Sequence, residues 1–190
     1  NCNGCSNHCL LTINSFKNNP NKFISGNKCE KPLSKKNVIK GKNLYEYIRN
    51  ELSCYKPISG HRGKVAIPLV LNMYELYPFW HSFFSSLGFE VHTSGFSDSH
   101  TYQQGQYSIP SDTVCYPAKL VHGHIEKLIK EDFKTIFYPC MSYNYDEKLG
   151  DNHFNCPIVA YYPENIINNV ETLENDKTIR FISDFISIND

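Results

Sequence analysis

The chain has 190 residues with 19 basic and 19 acidic side chains, so its formal net charge is zero and no positive field favours nucleic acid or an anionic membrane. A hydrophobic fraction of 41% is ordinary for a globular core, and the length suits one α/β domain with a small appendage rather than a large multidomain enzyme. The longest apolar runs, such as Val65 to Leu71, fall far short of the roughly 20 residues of a membrane span, and no signal peptide is present, so a soluble protein in a reducing cytoplasm is expected.

Residues 1–33 open on Asn1 without a methionine, which suggests a segment of a longer polypeptide. Cys2, Cys5 and Cys9 form a C-x2-C-x3-C run, and Cys29 returns after the β-prone stretches Cys9 to Phe16 and Lys22 to Ser25. Asn18, Asn19, Pro20 and Asn21 between those stretches mark a hairpin turn. The hairpin has too little apolar mass to fold alone, whereas structural zinc supplies roughly 10–16 kcal/mol in finger-like peptides. These four cysteines are therefore expected to converge on one metal, with zinc slightly favoured over an iron-sulfur centre. Disulfides fit a reducing compartment poorly. A thiol-redox pair at Cys2 and Cys5 is a third, weaker reading.

Residues 34–59 read as a connector, with Leu44, Tyr45, Ile48 and Leu52 at helical spacing before Pro57 and with Cys54 as a small apolar residue against the core. From residue 60 to 190 strands alternate with helices. Strands are expected at Lys64–Leu71, Phe89–Thr93, Thr135–Pro139 and Pro157–Tyr162, paired in parallel in one sheet with helices on both faces, a three-layer α/β domain. Pro78 is expected to kink the helix after the first strand or shift its start, and Trp80, Phe83, Phe84 and Leu87 share one helical face that packs in the core.

The chemistry concentrates in the segment IPSDTVCYPAKLVHGHIEKLIKED. With Ser111 or Asp112 as the N-cap, Cys115 falls in the first helical turn, where the macrodipole favours a thiolate. Cys140 ends the strand that follows, and ligands gather beyond the carboxyl ends of strands in open α/β sheets. Cys115 and Cys140 are thus candidate ligands of a shared centre on one rim. Cys156 precedes the run read as a fourth strand, which would put it at the opposite rim unless the Met141–Asn155 loop bends it back. His122 and His124, two apart on a helix, do not face the same way and are read as packing, capping or surface residues. Lys119, four residues after Cys115, can meet an anionic ligand or a thiolate, or simply face solvent. No GxxxxGK[ST], GxGxxG or GxSxG motif occurs, and no independent catalytic site can be assembled.

The segments IPLVLNMYELYPFWHSFFSSLGFEV, IPSDTVCYPAKLVHGHI and IFYPCMSYNYDEK resemble the uncharacterised domain of large CoA-enzyme-activase proteins, relatives of the 2-hydroxyacyl-CoA dehydratase system. CNGCSNHCLLTI and ISGNKCEKP resemble the segment that precedes this domain. The resemblance implies a [4Fe-4S] cluster with Cys115 and Cys140 among its ligands and a further cysteine either from another domain or from Cys156. It also implies a separate activator that spends ATP to deliver a low-potential electron. The function expected is a cluster-carrying or electron-transfer component of an ATP-driven 2-hydroxyacyl-CoA dehydratase or reductase-like system. Its partners would be other domains or subunits of that assembly, and any acyl-CoA would bind outside this segment. The alternative is a non-enzymatic, zinc-stabilised docking or scaffold domain of a large activase-like protein.

Overall fold

The computed structural model describes residues 1–32 and 43–189, so the first part of the expected connector at residues 34–59 lies outside them. The chain divides into two compact units, Asn1–Arg49 and Asn50–Asp190. In the first, β1 (Thr12–Ser15) and β2 (Lys22–Ser25) form the expected antiparallel hairpin, with Ile13 opposite Ile24. Phe16 and Phe23 meet edge to face at 5.6 Å, yet both are at least half exposed, as are Leu10 and Ile13. The hairpin therefore has backbone pairing without a buried apolar core.

Helix α1 (Leu44–Cys54) follows the expected spacing but buries only Leu52. Cys54 is exposed, with its thiol against the Asn50 carbonyl at 3.4 Å, and does not pack in the core as the sequence suggested. Leu44, Tyr45, Tyr47 and Ile48 of this helix are exposed as well, so Leu52 alone turns into the core and Cys54 at the last position does not follow it.

In the second unit β3 (Lys64–Ile67), α2 (Asn72–Ser86) and β4 (Glu90–Thr93) follow in order. Next come α3 (Ser99–Gly105), a 3-10 turn at Gln106–Ser108, α4 (Tyr116–Lys130) and β5 (Thr135–Phe137), and last α5 (Pro157–Asn169), α6 (Glu171–Asn175) and β6 (Arg180–Ile182). The four strands form one parallel sheet in the order β4-β3-β5-β6, flanked by helices. The expected strands at Lys64, Phe89 and Thr135 are present, shortened where Pro68 and Pro139 end the ladder.

The expected fourth strand at Pro157–Tyr162 is a helix, and the fourth strand is β6. Pro157 occupies the first helical turn, where a missing amide proton costs nothing. Tyr162, Ile166 and Val170, four residues apart, supply the buried stripe that a strand reading overlooked.

Helix α2 runs through Pro78. Of its expected core face, Trp80 and Phe84 are buried against Phe137 at 4.7 and 4.8 Å, whereas Phe83 and Leu87 are each somewhat under half exposed. Phe83 lines an apolar cavity of about 790 Å³ with Phe79, Ile182 and Ile186. The helix ends in a Schellman motif: Gly88 takes φ of 85°, its amide bonds Ser85, and the Phe89 amide reaches back to Phe84 at 3.0 Å.

Candidate functional site at the carboxyl-end rim

Because the strands are parallel, each helix joining two of them begins at the carboxyl edge of the sheet. Cys115 is the N-cap of α4 with extended backbone, φ −61° and ψ 151°, and Pro117 lies in the first turn. The helix thus starts later than expected, since Ser111 and Thr113 bond each other in the preceding loop and neither caps it. Cys156 is the N-cap of α5 with nearly the same backbone, φ −63° and ψ 155°. This corrects the expectation that put Cys156 at the opposite rim: with a helix where a strand was expected, it starts at the carboxyl edge. Both thiols are exposed.

Cys140 lies three residues past β5 and is fully buried. Its amide bonds the Asp184 carbonyl at 3.1 Å and its carbonyl accepts from Ile186 at 3.0 Å, so the segment after β6 fastens it to the sheet edge. Burial pushes its thiol up, a backbone hydrogen bond from Glu164 partly offsets that, and the carboxylates of Glu164 and Asp184 push it further up.

A buried polar network lies beneath the rim. Tyr162 donates to His122 Nε2 at 3.0 Å, and His122 Nδ1 meets Ser108 Oγ at 2.8 Å. Ser108 sends its own proton to the Gly105 carbonyl, so Nδ1 is the donating nitrogen and Nε2 the accepting one. His124 stands between Ser94 and Ser97 at 2.7 and 2.8 Å. Both histidines are buried and their pKa values are lowered to about 4 by desolvation, so of the packing, capping and surface roles expected of them the structure shows burial, with each ring hydrogen-bonded. Lys119 donates to the Asp112 carbonyl at 2.8 Å and so braces the loop before α4.

Tyr138 and Tyr162 were not singled out from the sequence. Burial, with Cys115 beside it, raises the Tyr162 pKa to about 12. Burial raises that of Tyr138 further, and negative charge on Tyr162, Cys140 or Cys156 would add to the same rise. The signals available were the position of Tyr138 two residues before Cys140 at a strand end, and the proline one or two residues after each of Cys115 and Cys156. A cavity of about 670 Å³ lies beside this rim, lined by Val114, Pro157, Tyr161, Tyr162, Glu164 and Asn165 among others, with no lysine or arginine in its wall.

In the first unit the Cys2 amide bonds the Cys9 carbonyl at 2.8 Å and the Gly4 amide points at Cys2 Sγ at 3.4 Å, which closes the loop that carries Cys2, Cys5 and Cys9. Cys29 lies beyond β2 with its carbonyl bonded by Asn27. Among the described residues, no three His, Cys, Asp or Glu side chains are gathered closely enough to hold a single metal ion.

A family model for the CoA enzyme activase uncharacterised domain matches residues 64–190, which takes in the whole sheet and all three rim cysteines. The chain belongs to this family. The match leaves the hairpin unit outside it, and no curated protein and no solved structure matches the chain. No helix among the described residues of this activase-family domain is long and apolar enough to cross a membrane.

Proposed function

We propose that this activase-family domain carries an iron-sulfur cluster on Cys115, Cys140 and Cys156, and that it relays electrons within an ATP-driven dehydratase or reductase assembly of the 2-hydroxyacyl-CoA type. What supports the reading is the place of three cysteines in separate elements, each at an end that a parallel sheet turns toward its carboxyl edge: two helix N-caps with matching backbone and one residue just past a strand end. A four-iron cube spreads its thiolates further apart than one ion does, so a rim that does not grip a single ion still has the donor chemistry for a cluster. A bound cluster would supply one-electron chemistry. The residues around it have separate tasks: Cys140 anchors from the dry side, Cys115 and Cys156 close from the open side, and the Tyr162–His122–Ser108 chain fixes the start of α4.

The rim cavity holds the Glu164 carboxylate and no cationic side chain in its wall, so the phosphates of an acyl-CoA find no counter-charge there. Substrate is accordingly proposed to bind on another part of the assembly, with ATP hydrolysis also supplied from outside. Anaerobic metal and sulfide analysis with an absorption spectrum tests the reading. Iron and acid-labile sulfide with a broad visible band are expected; zinc alone would leave a scaffold domain instead.

For the hairpin unit we propose a structural metal, zinc before iron, on Cys2, Cys5, Cys9 and Cys29. The Gly4 amide aimed at Cys2 Sγ supports this, because such a bond stabilises a thiolate, and Leu10, Ile13, Phe16 and Phe23 of the hairpin are all exposed, which leaves little apolar burial to hold it. Stripping the metal with a chelator is expected to abolish amide-exchange protection at Ile13 and Ile24 while leaving the α/β unit folded. Unchanged protection after complete metal removal would show that the hairpin stands without it.

A further inference from the structure

We propose that the apolar cavity beside α2 is a binding site for a neutral, lipophilic small molecule that carries a carbonyl group. Its place follows from the sheet topology. The connection from β3 leads to β4 on one side, whereas those from β4 to β5 and from β5 to β6 lead the other way, so right-handed crossovers put α2 on one face and α4 and α5 on the opposite one. Phe137 of β5 and Ile182 of β6 are paired in register and both turn toward the α2 face, where Phe137 meets Trp80 and Phe84. The cavity lies there, walled by α2, these two strands, Tyr145 and the segment after β6, and no cysteine of the rim lines it.

Its volume of about 790 Å³ falls within the roughly 300–1,000 Å³ of small-molecule sites. The wall holds no charged side chain, and only Tyr145 and Ser187 bring hydroxyl groups to it. A carboxylate, phosphate or ammonium group would lose its hydration there without a counter-charge, so the occupant is uncharged. Phe79 and Phe83, one turn apart on α2, stack at 6.3 Å with 16° between their planes, yet both stay about half exposed. An apolar occupant takes both rings out of water.

The Trp80 indole supplies the polar half of the recognition. Trp80 is 4% exposed, and its Nε1 has no acceptor among the described residues. Buried polar groups in folded proteins are nearly always paired. An indole N–H can only donate, so the group that completes it is an acceptor, and a carbonyl oxygen is one that brings no charge.

Trp80 is the chain's single tryptophan, so its emission and its one indole N–H resonance both report on the cavity wall. Titration of the full chain with methyl decanoate is expected to give a saturable change in emission and to move the indole proton downfield. Decanoate, with the same chain but a charged head, should bind about tenfold more weakly, a comparison that needs no variant. Phe83→Asp, at a ring already near half exposed, should weaken binding of the ester about tenfold, and Tyr107→Asp, at a ring 93% exposed and outside the cavity, should leave it unchanged. No saturable response to the ester, equal affinity for ester and carboxylate, or equal loss in the two variants would overturn the site. An indole resonance that stays fixed at saturation would overturn the carbonyl contact. Sedimentation of the ligand-free chain supplies the last arm: a dimer that Phe83→Asp converts to monomer would show that a second copy covers this face, and the small-molecule site would fall.

Discussion

Between pH 7 and pH 4 the α/β unit is expected to lose about 6 kcal/mol of stability through His122 and His124 alone. Both rings are buried and neutral, with pKa values near 4 against an ordinary value of 6.5, and both are saturated with neutral partners. A depressed histidine favours the fold most where the unfolded ring is also neutral, above about pH 6.5. As the pH falls, the unfolded chain takes up protons that the folded rings refuse, and the stability contribution is lost down to the folded pKa near 4. The loss approaches about 3 kcal/mol per ring, against a typical total of about 5–15 kcal/mol. Asp98, Asp146 and Asp176 are held below the usual carboxylate range, so their contributions vanish at lower pH, while half-buried Glu126 shifts the opposite way through desolvation. Urea unfolding followed by Trp80, the chain's single tryptophan and part of this core, measures the effect. A midpoint that stays constant from pH 7 to pH 4.5 would contradict the account.

Gly123→Ala is expected to destabilise the same unit by about 3 kcal/mol or more, because overpacking against rigid backbone leaves no flexible neighbour to yield. A methyl group at Gly123 would overlap the Thr101 carbonyl of α3, and one at Gly105 would overlap the Gly123 amide, so the two helices touch backbone to backbone. Thr101 has little room to give, since a reciprocal capping box with Asp98 holds it. Because α4 begins at Cys115, a forced separation of the helices also shifts one corner of the rim. Thermal melting should drop by roughly 10 °C, on the scale of a few degrees per kcal/mol for a domain of this size. Gly150→Ala, where a methyl group meets nothing, serves as the control. Equal melting of the two variants would show that the helix contact relaxes freely.

The sequence pattern made the parallel sheet readable because β3 runs on without a break into the apolar stretch Val65 to Leu71 and strands alternate with helices along the chain, whereas β4, Glu-Val-His-Thr, carries only one buried apolar residue. It misread Pro157–Tyr162 because a short run bounded by prolines satisfies both strand and helix statistics, and the stripe of Tyr162, Ile166 and Val170 emerges only over a longer window. That single error hid the placement of Cys156. Cys115 and Cys140 were legible as rim residues, since helix starts and strand ends in a parallel sheet share an edge whatever the loop between them does. The supporting network was not legible. Ser108, His122 and Tyr162 come from separate elements, and no local spacing reports a hydrogen bond made across 40 residues.

The central claim is that the rim cysteines act together as ligands, and one measurement addresses it directly. Iron and acid-labile sulfide are determined per chain after anaerobic reconstitution of the parent and of Cys115→Ala, Cys140→Ala and Cys156→Ala, each with the hairpin cysteines intact. The parent is expected to hold iron and sulfide in equal amounts, and each substitution to remove most of the sulfide together with the visible absorption. Sulfide content and spectrum unchanged from the parent in all three variants would mean that the rim holds no cluster.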